Sequence, residues 1–497
     1  TQTGLGYLWY DHQGTEITRI TPGGECESAY DKFYNRVIYL RDNRTGETFN
    51  LNWEPIGGQL DHFSCVHGLG YSTITAKNDG IEVELTIFVP PGSDPLEIWQ
   101  LAVRNRSGRK RDLSVFVYNE ISFHSVDTYG ERVFMHGDLD RRLNAIVCTK
   151  GAETLPHDHF TAFLASDRRI SRYDCSRPAF LGPTAMMNRP EAVERGRCSN
   201  SVASCELPVT VAQYDLKLAP RRSGSINFLL GIAPSTKKIQ SHAKRYLHGD
   251  GIPRAFKRLQ QRNRKLRAAN TVSSPDDKLD LMTNIWNKQQ IDFFATWNRW
   301  GMRGYREMAQ QAMSLSLFDP PKARGILCTA MRYQRRDGSG LRHWIPIDER
   351  PLADQCLWLV YGVAKYLQET GDFRLLRETI PFFDGGKGTA YQHLQAALDF
   401  NWNNRGKHGL CLIQSGDWND SLTAVGKGGR GESVWLSMGL ARALLDVAEI
   451  AELHSDAKLA AKCRRRHGRL KEALNRHAWQ RDRYLRCFDD AGKPIGV

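Results

Sequence analysis

Apolar and polar residues follow one rhythm in the first half of the chain and another in the second. In "IEVELTIFVPP", Val83, Leu85, Ile87 and Val89 alternate with polar positions. Trp99, Leu101 and Val103 do the same in "EIWQLAVRNRSG", as do Leu113, Val115 and Val117 in "DLSVFVYNE". A period of two places every second side chain on one face of a strand. Gly, Asn, Pro and Ser punctuate these runs, as turns require. "YDLKLAPRRSGSINFLLGIAP" reads as a hairpin, with Leu216 and Leu218 before the turn and Ile226, Phe228 and Leu230 after it. So many short strands over residues 1–234 predict a large β-sandwich.

Past Pro234 the rhythm changes. "SHAKRYLHGDGIPRAFKRLQQRNRKLRAAN" is rich in Lys, Arg, Ala and Leu, all good helix formers, and predicts a helical linker over 235–274. From 275 to 497 the pattern is helix after helix. "CLWLVYGVAKYLQETGD" carries Leu357, Tyr361, Ala364 and Leu367 on one face, and "ESVWLSMGLARALLDVAEIAEL" continues the pattern for longer. With no strands alternating between them, these helices predict an all-α domain.

At 497 residues, with 41% hydrophobic and 25% charged residues, the chain is long enough for several cores and balanced like a globular protein. No apolar run reaches the roughly 18 residues of a membrane helix, and "TQTGLGYLWYDHQG" shows no signal-peptide pattern. The eleven cysteines are odd in number and contain no C-x-x-C pair, which favours free thiols in a reducing cytoplasm. Nothing has metal-ligand spacing. The net charge of +14 admits an anionic partner, nucleic acid, membrane or phosphorylated small molecule. The densest basic cluster, "KCRRRHGRLK", lies in a helical stretch and reads as a solvated face; no nucleic-acid-binding motif accompanies it.

Two stretches carry candidate chemistry. "WNRWGMRGYREMAQQAM" mixes aromatic rings, arginines and a glutamate, the means of stacking on a sugar face and holding its hydroxyls; it reads equally as an amphipathic helix start. "LCLIQSGDWNDSL" places Asp417 and Asp420 around Trp418 and Asn419, inside a glycine-rich loop between two helices. An acid that protonates a departing glycosidic oxygen needs a raised pKa, which a site beside an indole and apart from water supplies. Both aspartates read alternatively as turn and cap residues.

Taken together, these stretches resemble the cellobiose phosphorylase family, the inverting β-glycoside phosphorylases of glycoside hydrolase family 94, along the whole chain. "HGLGY" at 67–71 and "PLEIWQLAVRNRSGRKRDLSVFVYNE" resemble its N-terminal β-sandwich. "GYREMAQQ" at 304–311 is similar to its Gly-Tyr/Phe-Arg-Asp-x-x-Gln-Asp motif. "CLWLVYGVAKYLQETGD" and "NNRGKHGLCLIQSGDWNDSL" resemble its barrel core, the latter most specifically, and "RGESVW" resembles the branch acting on β-1,2-glucans.

The resemblance implies a β-sandwich, a helical linker and an (α/α)6 barrel with its active site at the barrel mouth. It implies phosphorolysis of a β-glucoside, of cello- or β-1,2-gluco-oligosaccharide type, to α-glucose 1-phosphate and a shortened sugar. Asp420 would be the general acid. Phosphate, already an anion, would be nucleophile and co-substrate, with no cofactor or metal. Trp418 would line the donor-sugar site, Asp417 would support it, and Arg306, Glu307, Gln311, Asp354 and Asn419 would bind substrate. Glu307 and Gln311 stand where the family motif has aspartates, and "PLADQCLW" keeps Asp354 without the family's second acid and proline.

"RDRYLRCFDDAGKPIGV" resembles a segment midway through the barrel, beyond which family members continue to their phosphate-binding histidine and Thr-Gly-Ser turn. The barrel is therefore expected to be incomplete at its C-terminal side: a fragment, a chain completed by a second one, or a decayed gene's product. The expected partners are an oligosaccharide and phosphate, with a homodimer when intact and neither nucleic acid nor membrane. A non-catalytic carbohydrate-binding remnant and an inverting hydrolase on the same barrel are the alternative functions.

Overall fold

A computed structural model describes residues 8–10, 15–18, 35–124, 135–151, 159–297, 303–345, 347–350 and 352–496. The chain divides into two compact units, Thr1–Arg264 and Lys265–Val497.

The first unit is built on two antiparallel sheets, of seven and nine strands among the described residues. Val37–Asp42, Arg111–His124 and Pro208–Leu218 form the middle of the smaller sheet. The larger runs from Ala203–Ser204 through Ser223–Ala233 and Leu96–Asn105 to His62–Gly68. The period-two residues Val83, Leu85, Trp99, Leu101, Val103, Leu113, Val115 and Val117 all enter one buried cluster between the sheets. Removing such side chains from water is the main stabilising term, roughly 25 cal/mol per Å² of apolar surface.

One expectation is corrected. Pro208–Leu218 and Ser223–Ala233 do not pair as a hairpin: the first pairs with Arg111–His124 in the smaller sheet, the second with Leu96–Asn105 in the larger. The turn between them crosses from sheet to sheet. Leu216, Leu218, Ile226, Phe228 and Leu230 meet inside the sandwich instead. Alternation records which face is buried and not which strand is the neighbour. The Thr236–Tyr246 helix and the start of Gly251–Ala268 cover the outer face of the larger sheet through Ile239, Tyr246, Ile252, Ala255 and Leu259.

The second unit packs its helices around one large apolar core, but it is not all-α as expected: short strands pair in its loops, among them a four-stranded sheet of Cys411–Leu412, Glu432–Ser433, Cys487–Phe488 and Pro494–Ile495. Gln355–Thr370 buries residues on nearly every side, including Cys356, Leu359, Val360, Val363 and Tyr366, beyond the single face read from its sequence. Val434–Leu453 is similar, with twelve buried residues. Helices apolar all round are interior ones. Gly371, left-handed at φ 64°, ends the first, and Ser433 caps the second by accepting from the Leu436 amide. The helical run over 277–297 leaves Leu279, Met282, Trp286 and Phe293 exposed. "KCRRRHGRLK" lies on the Ala457–Ala473 helix. Ten cysteines are described and all are free. No helix among the described residues is long and apolar enough to cross a membrane.

Candidate active site

The Tyr305–Leu315 helix begins where Gly304 passes the backbone of Arg342 so closely that a Cβ would lie 2.5 Å from its carbonyl oxygen. That close approach explains the glycine of "GYREMAQQ" and brings Arg306 to the centre of the site. The Arg306 guanidinium donates through Nε and Nη2 to the two oxygens of Asp354, at 2.9 and 3.0 Å. Nη2 also donates to the backbone carbonyl of Asp417, and Nη1 to Asp420 Oδ1 at 2.5 Å. Arg306 therefore ties three separate segments of the unit together. Burial alone would lower its pKa, but Asp354 and Asp420 hold it above the ordinary arginine value.

The two aspartates of "DWND" part company. Asp417 is fully buried. Its Oδ1 accepts from the Asn419 amide at 3.0 Å and from Arg486 Nη2 at 2.5 Å, and its Oδ2 from Ser433 Oγ at 2.5 Å. Asp420 has a side chain 44% exposed, and accepts from Arg306 and from Arg342 Nη2, the latter at 3.1 Å. Burial pushes its pKa up, but the hydrogen bonds and charges of Arg306 and Arg342 outweigh that and hold it below the ordinary carboxylate value. That direction is opposite to the raised pKa that a proton donor needs. Desolvation is the largest single influence on Asp420, yet the two arginines together outweigh it; Trp418 beside it is itself 55% exposed.

A cavity of about 480 Å³ is lined by Arg306, Glu307, Gln310, Trp418, Asn419 and Asp420. Asp354 lies beneath it, holding Arg306, and also accepts from Trp358 Nε1 at 2.8 Å. Trp418, Trp435 and Trp358 follow one another at centroid separations of 6.2 and 6.4 Å. The structure thus assembles Arg306, Glu307, Trp418, Asn419 and Asp420 around one space, with Asp354 and Asp417 behind it. Gln311 is not among the lining residues; Gln310 is. Successive helix residues point about 100° apart, so a one-residue difference changes the face. Arg299 and Trp300, in the aromatic segment, lie outside the described residues.

Sequence reasoning missed Arg342, Trp358, Trp435, Ser433 and Arg486. Trp358, Ser433, Trp435 and Arg486 lie inside quoted stretches, "CLWLVYG", "RGESVW" and "RDRYLRCFDD", but nothing in those stretches tells which side chain turns to the site; Arg342 lies in none of them. The loop bearing both aspartates is fixed by equally dispersed contacts. Gly416, at φ 151°, lets the chain turn against Leu352, and its carbonyl accepts from the Ala353 amide at 3.0 Å. Glu432 accepts from the His408 and Leu410 amides and from His408 Nδ1, which accounts for "KHGL".

A larger cleft of about 670 Å³ is lined by Pro320, Arg324, Tyr366, Glu369, Asp372 and Arg374, among others. Asp372 there is engaged by Tyr366, Arg374 and Arg324, so its charges satisfy one another. The smaller cavity has the more reactive arrangement: a ring, two unburied carboxylates and arginines converging on one of them. No group of three or more His, Cys, Asp or Glu residues among the described residues is placed to hold a metal ion.

Comparisons with known proteins agree across both units. Residues 1–249 match the model of the glycosyl hydrolase 94 supersandwich domain, and residues 264–497 that of the glycosyl hydrolase 94 superfamily catalytic domain. The chain is 35% identical over 479 residues to solabiose phosphorylase of Paenibacillus borealis, covering 96% of this chain and 62% of that protein. It is 30% identical to the 3-O-beta-D-glucopyranosyl-beta-D-glucuronide phosphorylase of the same organism, covering 99% and 66%. The chain therefore spans a little under two thirds of these relatives' length. Among solved structures, a bacterial glucoamylase complexed with acarbose superposes with TM-score 0.58 at 9% identity, covering 98% of this chain and 70% of that one. A putative kojibiose phosphorylase from the human microbiome gives TM-score 0.53 at 8% identity, covering 91% and 62%. These likenesses support the fold: an N-terminal β-sandwich followed by a helical domain of the (α/α)6-barrel kind.

Proposed function

The chain belongs to glycoside hydrolase family 94, and from that premise we propose that its cavity serves the inverting phosphorolysis of a β-glucoside. The observation that carries this reading is Asp420: a half-exposed carboxylate on a sugar-sized cavity, beside an exposed indole, in the grip of two arginines. Both relatives are named as phosphorylases, one of them of a beta-D-glucopyranosyl glucuronide, which supports the reaction class.

In phosphorolysis, protonated Asp420 gives its proton to the glycosidic oxygen as the C1–O bond breaks. A phosphate oxygen forms the new bond to C1 from the opposite face, giving α-glucose 1-phosphate and the shortened sugar. Since the nucleophile is already anionic, no second carboxylate is needed to activate it, unlike in an inverting hydrolase. Arg306 and Arg342 favour the ionised form of Asp420. An anion bound beside those guanidiniums competes for their charge and raises the Asp420 pKa, so that phosphate itself readies the acid. The ionised state suits the reverse reaction, in which Asp420 takes the acceptor's proton. Trp418 offers a sugar-stacking face, and Glu307, Gln310 and Asn419 offer hydroxyl partners.

A second reading is favoured by Glu307, a further carboxylate lining the cavity, for which no charged partner is found among the described residues. It would let the site activate water and act as an inverting hydrolase. Phosphate release from α-glucose 1-phosphate separates the two, with glucose, cellobiose and β-1,2-glucose oligomers as acceptors. Release that vanishes in Asp420→Asn is the expected result. Phosphate-independent production of glucose from β-glucosides would replace the first reading by the second. Sugar binding without either activity would leave a binding role.

A further inference from the structure

One short stretch, residues 486–490, grips both ends of the loop that carries the acid. Arg486, its side chain 28% exposed, donates from Nη2 to buried Asp417 at 2.5 Å and from Nη1 to Ser433 Oγ at 3.3 Å. Asp490 accepts from three backbone amides of the glycine-rich return: Gly428 at 2.5 Å, Arg430 at 2.7 Å and Gly431 at 2.9 Å. Strand pairing sets the stretch in register, Cys487 opposite Ser433 and Phe488 opposite Glu432.

The loop between them, residues 413–433, has little core of its own. Ile413, Val425 and Cys487 form a small separate cluster, with Leu422 and Ile495 packed against it. Burial on that scale does not fix a loop of this length; ordering its backbone costs roughly 1–2 kcal/mol per residue. Polar contacts must hold its shape, and Asp417 is where they converge. Its carboxylate faces Arg486 and Ser433, while its backbone carbonyl faces Arg306 and the cavity. Asp420 follows three residues later. Its direction is set by the turn that the Asn419 amide closes on Asp417, and the Leu422 amide on the Asn419 carbonyl.

We propose that Arg486 is a positioning residue for the transfer reaction: acting through Asp417, it fixes the turn that aims Asp420 into the cavity, while Asp490 braces the loop's return. The proposal rests on the reading of Asp420 as proton donor. Without the guanidinium, a buried carboxylate loses its charged partner and the turn shifts to find another. Misplacing a reacting group by about 1 Å costs on the order of 100-fold in rate.

The test uses Arg486→Met and Arg486→Lys, each alone and combined with Asp417→Asn, in the full chain. Hydrogen exchange of amides 413–425 needs no turnover. It is expected to quicken at least tenfold in Arg486→Met, much less in Arg486→Lys, and to recover partly when Asp417→Asn removes the unpaired charge. In phosphate release from α-glucose 1-phosphate, Arg486→Met is expected to lower kcat by about 30- to 100-fold. KM should stay within about threefold, and the double variant should regain at least about threefold of kcat. If Arg486→Met does not fold, Arg486→Lys decides: it keeps a charge on Asp417 but loses the fork to Ser433, so kcat should fall by about threefold or more. Unchanged exchange, an unchanged kcat, or no recovery with Asp417→Asn overturns the role of Arg486. Turnover that survives Asp420→Asn overturns the reading of Asp420, and is seen before any Arg486 variant is made.

Discussion

The floor and the mouth of the cavity use the same residue types to opposite ends. On the floor, Asp354 and Asp417 are buried and their oxygens are engaged by Arg306, Trp358, Arg486 and Ser433. At the mouth, Asp420 meets Arg306 and Arg342 but stays half-open to water. A saturated buried carboxylate holds a shape and is costly to disturb. A half-exposed one can exchange partners, take up a proton and give it away. Two residues separate Asp417 from Asp420, and burial is what distinguishes them.

The comparison can be broken first at the mouth. Asp420→Asn should lower phosphorolysis by about 10²- to 10⁴-fold with sugar binding largely kept. Because the ion pairs it loses are solvent-screened, folding stability should change by less than about 1 kcal/mol. Turnover near wild type would remove Asp420 from the mechanism. Asp354→Ala tests the floor. It leaves a shielded guanidinium without its main partner, and should destabilise by about 3–5 kcal/mol in denaturant unfolding; a loss under 1 kcal/mol would show that the floor is not load-sharing. Trp418→Ala should weaken sugar binding by about 1 kcal/mol, read by calorimetry, with stability little changed because the ring is exposed. Affinity equal to wild type would take the indole out of the site.

The smallest effects sharpen the boundary. Gln311→Asp, on a side chain outside the cavity lining, should alter activity and stability within about 0.5 kcal/mol. A gain or loss of tenfold in rate would bring that side chain into the site. Asp420 also carries a small pH signature. Its pKa is depressed in the folded chain, so its contribution to stability is present above the unfolded carboxylate value and is lost as pH falls through the folded one. Acid unfolding curves of wild type and Asp420→Asn should therefore converge as pH drops below about 4, and parallel curves would mean that the arginines do not hold it.

Much of this was legible in the chain. Alternation at Val83, Leu85, Trp99 and Leu101 marked a buried sheet face, and those residues are in the sandwich core. "DWND" and "GYRE" pointed to residues that meet at one cavity. The partner of each strand was not legible, and the supposed hairpin at 214–234 is a crossing between sheets. Nor was the direction of the Asp420 pKa, because the arginines that depress it, Arg306 and Arg342, stand 114 and 78 residues away. Gln311 was chosen by its place in a motif, whereas facing the cavity depends on helix phase and on what packs opposite.

The sequence by itself determined the division into a β part and an α part, the identity of the candidate acid and the family. Local periodicity and short motifs carry that information within a few residues. Only the tertiary structure decided how deeply each aspartate is buried, which arginines lie against Asp420, and that Arg486 and Asp490 contact the two ends of the loop. Burial and charge pairing are relations among segments far apart in the chain, so they exist only once the chain has folded.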